Sequence, residues 1–206
     1  MRLALASLAL ALALPAVSAA QVRTSDAPVA LALSAGTAYI VDVGRAGLAV
    51  SAEVASRHLG VSAAVSLPAD DVERAFGLSA MVYPGGRTAP AALALGAEGA
   101  IVGGDGGPYT LAGPVGAFSY RLVNTPDFLV VPEVRVGLLL PFGENASRSN
   151  LAAQSAASAG ITLGGKLSPG VVTTVTPSVS RSVPLGSTFD QSVVAVGVDA
   201  AFVISL

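Results

Sequence analysis

Apolar residues alternate with small or polar residues along most of the chain, and the last segment shows this most clearly. In VAVGVDAAFVISL, residues 194–206, every second residue counted back from Leu206 is apolar. The other set is smaller on average and contains the one charged residue, Asp199. Because successive side chains of a β-strand leave opposite faces, this alternation predicts a strand with one apolar face.

The same alternation predicts ten strands, separated by residues that favour turns. They cover residues 30–41, 47–56, 59–67, 73–83, 91–102, 109–122, 128–140, 151–165, 170–181 and 191–205. One stretch, NLAAQSAASAG at 150–160, would also suit a short helix capped at Asn150. Strands of about a dozen residues fit the roughly 9–11 residues that a tilted strand needs to cross a membrane.

Charged residues avoid the apolar faces of these predicted strands. Most lie in connections or at strand ends, and five lie well inside strands, each opposite the apolar set: Glu53, Glu98, Glu133, Arg135 and Asp199. We interpret these five as a charge network in the lumen of a barrel. Glu98 is the carboxylate predicted to reach Arg135 across a narrow bore, with Asp199 and Glu53 as further candidates. Four carboxylates and one arginine leave this face with an excess of three negative charges (four minus one).

Composition bears on which face is inside. The chain is 52% hydrophobic and only 12% charged, against a usual charged share of about 25%. A soluble barrel would place the apolar faces inside, whereas a membrane barrel places them against lipid. The opposite faces consist mostly of Ala, Gly and Ser, which suit the crowded interior of a narrow barrel better than a surface in water. Closure would also remove the sheet edges that lipid does not tolerate.

The predicted fold is therefore all-β, a closed antiparallel up-and-down β-barrel of about ten strands, with eight as the smaller possibility. Residues 1–20 have the layout of a cleaved secretory signal peptide: Arg2, an apolar run over 3–14, then Pro15 and small residues. Cleavage after Ala19 or Ala20 would leave 21–206 as a single barrel domain. The sequence contains no Cys, so neither a disulfide nor a lipid-bearing cysteine is expected.

On these features the sequence resembles the small outer-membrane β-barrel proteins of bacteria with two membranes. The C-terminal strand carries the resemblance, through the alternating residues Val198, Ala200, Phe202, Ile204 and Leu206. In that family the insertion machinery reads this strand as a signal, and Leu206 stands where the family usually has an aromatic residue. With four Tyr, six Phe and no Trp, the chain has little material for the aromatic girdles of such barrels.

The resemblance also implies an orientation and a set of partners. Both termini would be periplasmic, the loops at 141–150 and 182–190 would be outside the cell, and the turns at 57–58 and 166–169 would be inside. The connection at 84–90 is long for an inner turn. The implied partners are the lipid bilayer and the outer-membrane insertion machinery, and the implied location is the outer membrane.

Patterns that indicate catalysis or ligand binding are weak. His58 is the only histidine, and no second His or Cys exists to share a metal ion. The stretch GGDGGP at 103–108 lacks the Lys and the helix of a phosphate-binding loop. No basic cluster points to nucleic acid. We therefore predict no enzymatic activity, no cofactor and no metal site.

The sequence thus predicts an outer-membrane β-barrel with a structural or narrow, porin-like role and no identifiable substrate. The alternative is a soluble secreted or periplasmic barrel or sandwich that binds a small apolar ligand. A third possibility, an outer-membrane enzyme acting on lipid, would depend on His58. The sequence predicts no particular oligomeric state.

Overall fold

The computed structural model describes residues 21–42, 44–68, 74–103, 107–125, 127–143, 152–185 and 192–206. The strands are β1 Val29–Ile40, β2 Arg45–Ser56, β3 Leu59–Pro68, β4 Ala75–Val82, β5 Ala91–Val102, β6 Tyr109–Tyr120, β7 Val123–Asn124, β8 Phe128–Phe142, β9 Gln154–Ser168, β10 Val171–Pro184 and β11 Val193–Ser205. The predicted signal peptide, residues 1–20, and the possible helix cap at Asn150 lie outside the described residues.

Ten long strands form one closed antiparallel barrel. Consecutive strands pair along the wall, β1 pairs with β11, and β6 pairs with β8, which closes the circle. The extra strand, β7, is a two-residue segment that pairs with the start of β8. The predicted fold class is confirmed, and each of the ten predicted strands is present. In the ambiguous stretch at 150–160, the residues from Gln154 onwards belong to strand β9 and not to a helix.

The barrel has two mouths, which differ in what they carry. The terminal mouth is the end where β1 begins and β11 ends, and it also carries the β2–β3, β4–β5, β6–β8 and β9–β10 connections. The far mouth carries the other five connections, including β8–β9 and β10–β11. The turns at 57–58 and 166–169 lie at the terminal mouth, and the strand ends that flank the loops at 141–150 and 182–190 lie at the far mouth. Residues 144–150 and 186–190 of those loops lie outside the described residues, and the orientation of the two mouths in a membrane stays a prediction.

Apolar side chains point outward and small or polar side chains point inward. In β3, Val61 and Leu67 are 49% and 43% exposed, whereas Ser62, Ala64 and Ser66 are buried. The other long strands repeat this rule, and Val134 and Val136 of β8 are both more than half exposed. The inward set consists mainly of Ala, Gly, Ser and Thr, with a few larger side chains such as Met81, Leu111 and Leu139 among them. A narrow barrel is filled by its inward side chains, so most of them must be small.

The outward surface is almost free of charge. Arg181 is the one Asp, Glu, Lys or Arg side chain that faces outward from a strand among the side chains that the structure describes. It lies near the far mouth, where it donates a hydrogen bond to Ser192 Oγ at 2.9 Å. Among the described residues, no helix is long and apolar enough to cross a membrane.

Outward aromatic side chains gather near the two mouths. Those near the far mouth are Tyr39, Phe76 and Phe142, and those near the terminal mouth are Phe118, Tyr120, Phe128 and Phe202. The aromatic residues of this chain are few, yet they lie where the girdles of a membrane barrel would be.

The wall packs tightly where β4 meets β5. A Cβ atom placed on Gly96 would lie 1.9 Å from the backbone oxygen of Ala80. Neither backbone can retreat without breaking the ladder between the two strands. Glycine at this position is therefore required by the close approach of the two chains and not by a turn.

We predict that Gly96→Ala lowers the free energy of unfolding by about 1–3 kcal/mol, the usual range for overpacking. The matched control is Gly165→Ala in β9, because a Cβ atom there would meet nothing within 4 Å. Urea unfolding of the purified proteins in detergent, followed by far-UV circular dichroism, measures both. Equal midpoints for the two variants would contradict the close approach.

Candidate functional site

The structure places all five of the lumen charges predicted from sequence inside the barrel. Glu53, Glu98, Glu133, Arg135 and Asp199 are between 3% and 9% exposed. They come from four strands, β2, β5, β8 and β11. Burying this many charged groups is costly unless each finds a partner, so their contacts define what the interior must provide.

A polar row crosses four neighbouring strands at one height in the lumen. Glu53 lies opposite Ser62, Ser62 opposite Ser79, and Ser79 opposite Glu98. The two serine hydroxyls are hydrogen-bonded at 2.7 Å. At the end of the row, Arg135 of β8 reaches over β6 and forms an ion pair with Glu98, with both side chains buried. The structure therefore brings together the pair that the sequence favoured.

Asp199 lies on the wall opposite β5 and has a different partner. Its carboxylate accepts a hydrogen bond from the side-chain amide of Gln21 at 2.9 Å. Gly36 of β1 lies directly opposite Asp199 in the register, and a Cβ atom there would approach Asp199 Oδ2 to 2.9 Å. The missing side chain at Gly36 leaves room for the carboxylate to turn into the lumen and meet Gln21.

Gln21 belongs to the segment Gln21–Ala27, which enters the barrel through the terminal mouth. Residues Gln21–Ser25 are each no more than 4% exposed. They form a turn in which Thr24 N donates to Gln21 O at 3.0 Å and Ser25 N donates to Val22 O at 3.3 Å. Val22 packs in one buried cluster with inward residues of five strands: Ala30, Ala32, Ala55, Leu129, Val172 and Val203. The segment thus touches the wall on several sides.

Arg87 is the main contact between the wall and this segment. It lies in the β4–β5 connection and is fully buried. Its guanidinium donates to the backbone oxygens of Val22 at 2.7 Å and Ser25 at 2.6 Å, and also to that of Ala27. The Nε atom donates to Ser56 O of β2 at 3.0 Å. One side chain therefore joins three carbonyls of the segment to the wall.

Two further arginines complete the contact from opposite directions. Arg121, at the end of β6, donates to the backbone oxygens of Arg23 and Ser25 and forms an ion pair with Asp26. Arg23 of the segment donates back to Arg87 O at 2.8 Å, to Ala89 O and to Ser119 Oγ. We call Arg23, Arg87 and Arg121 the arginine clamp. Its charged donors make stronger hydrogen bonds than neutral groups would.

The clamp also balances the charge of the lumen. The buried Asp, Glu, Lys and Arg side chains that the structure describes are four carboxylates, Glu53, Glu98, Glu133 and Asp199, and four arginines, Arg135 and the clamp. Burial, followed by the charge of Arg121, lowers the pKa of Arg23 to about 10, so its guanidinium remains charged at neutral pH. The predicted excess of three negative charges applies to the inner faces of the strands, and the three arginines of the clamp, which lie outside the strands, offset it.

Sequence reasoning missed the clamp for an identifiable reason. Arg23 lies before the first predicted strand, and Arg121 lies at the end of one, so neither interrupts an apolar face. The one signal was the connection at 84–90, which is too long for a simple inner turn and has Arg87 at its centre. Within this connection Gly86 has φ at +84°, and the next residue, Arg87, is fully buried in the lumen.

The five residues of the predicted insertion signal face outward along β11. Val198, Phe202 and Leu206 are 52%, 55% and 65% exposed. The backbone nitrogen of Leu206 donates to Val29 O of β1 at 2.9 Å, so the strand is paired to its last residue. Recognition of this strand by an insertion machinery stays a prediction.

The remaining candidates from the sequence are His58 and the stretch GGDGGP at 103–108. His58 is exposed in the β2–β3 turn, with Nδ1 at 3.0 Å from Tyr83 O. In the part of the chain that the structure describes, no cluster of three or more His, Asp or Glu side chains is arranged to hold a metal ion. The centre of GGDGGP, residues 104–106, lies outside the described residues.

No protein-family model and no curated protein matches the sequence. Among solved structures, the fold is similar to the N-terminal β-barrel domain of OprF from Pseudomonas aeruginosa, with 8% identity, coverage of 85% of this chain and 97% of that one, and a TM-score of 0.38. It is similar to the β-domain of the Bordetella autotransporter BrkA, with 12% identity, 88% and 100% coverage, and a TM-score of 0.42. It is also similar to a de novo designed transmembrane β-barrel, with 13% identity, 84% and 94% coverage, and a TM-score of 0.38. These similarities concern the barrel fold and carry no information on activity.

We predict that Arg135→Ala lowers the free energy of unfolding by about 3–5 kcal/mol, because it leaves a buried carboxylate without its cation. The single changes Glu53→Gln, Glu98→Gln and Glu133→Gln should each have a smaller effect. In a double-mutant cycle, Glu98→Gln should relieve part of the damage in Arg135→Ala. Arg181→Ala on the outward face is the control, with an expected change within about 0.5 kcal/mol. An Arg135→Ala midpoint in urea equal to that of wild type would exclude a network centred on Arg135.

Proposed function

We propose that the protein is an outer-membrane β-barrel with a structural role, whose terminal mouth faces the periplasm. The observation that carries this proposal is the inverted polarity of the barrel. Large apolar side chains cover the outward faces, and buried charges and hydroxyls line the inner faces. This is the arrangement that a bilayer requires of a closed barrel and the reverse of a soluble one.

The dimensions of the barrel support a membrane location. A strand of twelve residues, such as β1 or β5, is about 40 Å long at a rise of roughly 3.3 Å per residue. Tilted by about 45°, it spans about 28 Å, close to the hydrocarbon thickness of a bilayer. Arg181, Tyr39 and Tyr120 lie towards the ends of this span, where their polar atoms can reach headgroups.

The polar interior argues against the alternative of a soluble barrel that binds an apolar ligand. At mid-height the lumen presents the Glu53–Glu98 row and the Arg135 ion pair, and another hydroxyl pair, Thr162 with Thr176, is hydrogen-bonded at 2.9 Å. An apolar molecule bound there would displace the partners of these charged groups and hydroxyls and leave them without hydrogen bonds. We therefore assign the barrel no apolar ligand, and we assign it no catalytic role.

Fractionation tests the proposed location. The protein should sediment with outer membranes, resist extraction by carbonate, and run anomalously on SDS gels unless it is boiled. The insertion proposal adds that Phe202→Asp with Leu206→Asp, two charges on the outward face of β11, should reduce the folded, heat-modifiable form. Recovery of folded monomer from the soluble periplasm would refute the membrane proposal.

We predict that Val134→Arg destabilises the barrel in lipid vesicles by about 2–4 kcal/mol, the cost of an arginine near the midplane of a lipid face. The matched control is Gly137→Ser in the same strand, which faces inward and where a Cβ atom would make only ordinary contacts, the nearest at 3.6 Å from Pro114 O. Urea unfolding in vesicles followed by tryptic release compares the two. Equal tolerance of both changes would contradict a lipid-facing Val134.

A further inference from the structure

We propose that the terminal mouth is a peptide-binding cradle whose occupant is this chain's own segment Gln21–Ala27, and that the docked segment plugs the lumen. The docking follows from contacts within the chain alone. The closure of a pore rests additionally on the proposed membrane function, so the two are tested separately.

The cradle recognises backbone carbonyl groups and not a particular set of side chains. Arg87 and Arg121 together donate to the backbone oxygens of Val22, Arg23, Ser25 and Ala27. Carbonyls that converge on two fixed guanidinium groups require a folded backbone, which the turn at Gln21–Ser25 supplies. The ligand class is therefore a short peptide in a turn conformation.

Side chains of the segment contact the wall at two distances from the terminal mouth. Val22 fills the apolar cluster near the terminal mouth, and Gln21 reaches further in to Asp199. Ser25 Oγ lies 2.8 Å from Ser205 Oγ at the end of β11. A vestibule of about 590 Å³ remains at the mouth and is lined in part by Thr24, Ser25 and Lys166. Behind Thr24 and Ser25, Val22 is fully buried.

If the segment left the lumen, buried positive and negative charges of the barrel would lose their partners. Arg87 and Arg121 would lose their carbonyl acceptors, and Glu133 would lose the nearby positive charge of Arg23. Groups of this kind are expensive to leave unpaired in a buried site. The segment is therefore docked in the resting protein, and weakening the clamp is what should release it.

Cysteine accessibility tests the docking, because the chain has no cysteine of its own. Val22→Cys places a thiol at a fully buried position without enlarging the side chain, and Asn124→Cys marks an exposed position at the same mouth. With the protein folded in detergent, a polar maleimide should label Asn124→Cys at least 10-fold faster than Val22→Cys. Equal labelling rates in the otherwise unchanged protein would overturn the docked segment.

The clamp is tested by repeating the labelling with Arg87→Gln and Arg121→Gln, singly and together. Labelling of Val22→Cys should accelerate at least 10-fold in the double variant, and labelling of Asn124→Cys should not change. The heat-dependent shift on SDS gels identifies folded protein, and the single variants serve if the double variant does not fold. Folded clamp variants in which Val22→Cys remains as protected as before would overturn the role of the arginines.

Ion conductance in planar bilayers tests closure of the lumen. The wild-type protein should show little or no conductance, and the folded clamp variants should show discrete channel openings. A wild-type protein that already conducts as well as the variants would overturn the plug. Loss of Val22→Cys protection without any gain in conductance would overturn closure by the segment. Failure of the membrane proposal would instead appear as a protein that does not insert at all, with the labelling result unaffected.

Discussion

The balance of buried charge in the lumen is the constraint on which the rest of this structure depends. Four carboxylates project from the inner wall, and among the described, buried side chains of the long strands Arg135 is the one cation that meets them. The remaining cations come from outside the long strands: Arg23 from the N-terminal segment, Arg87 from a connection, and Arg121 from the end of β6. Because an uncompensated charge in such a site costs several kcal/mol, the segment and the β4–β5 connection are part of the folded core.

Small inward residues make this arrangement possible. A wall lined with Ala, Gly and Ser leaves space along the axis, and long arginine side chains and a turn of backbone fill the space near the terminal mouth. Gly36 is one example of a small residue that makes room for a charged one. Because Gly36 has no side chain, Asp199 has space to face Gln21. The low charge content of the chain follows from the same geometry. Charges are excluded from the outward face by its apolar character and restricted inside by the need for partners.

The periodic part of the fold could be predicted from the sequence, and the non-periodic part could not. Alternation assigns a face to every residue of a strand, so ten strands, their facing and the Glu98–Arg135 pair follow from counting positions. The clamp depends on a turn at Gln21–Ser25, on the direction that Gly86 gives to Arg87, and on contacts between residues some 60 to 100 positions apart in the chain. None of these three features produces a periodic pattern of apolar and polar residues in the sequence. The charge of the clamp was missed for the same reason, since the predicted count of lumen charges included only residues inside strands.

The contacts of the segment also bear on how the barrel closes. Closure pairs β11, the last strand, with β1, the first strand. The segment directly precedes β1, so its attachment holds it near the mouth at high effective concentration. Its partners nevertheless lie all round the wall: Asp199 and Ser205 on β11, Arg87 between β4 and β5, and Arg121 beside β6. These groups converge only when the circle is complete. Docking therefore stabilises the closed barrel over any open sheet, and the energy of the clamp is available only to the finished fold.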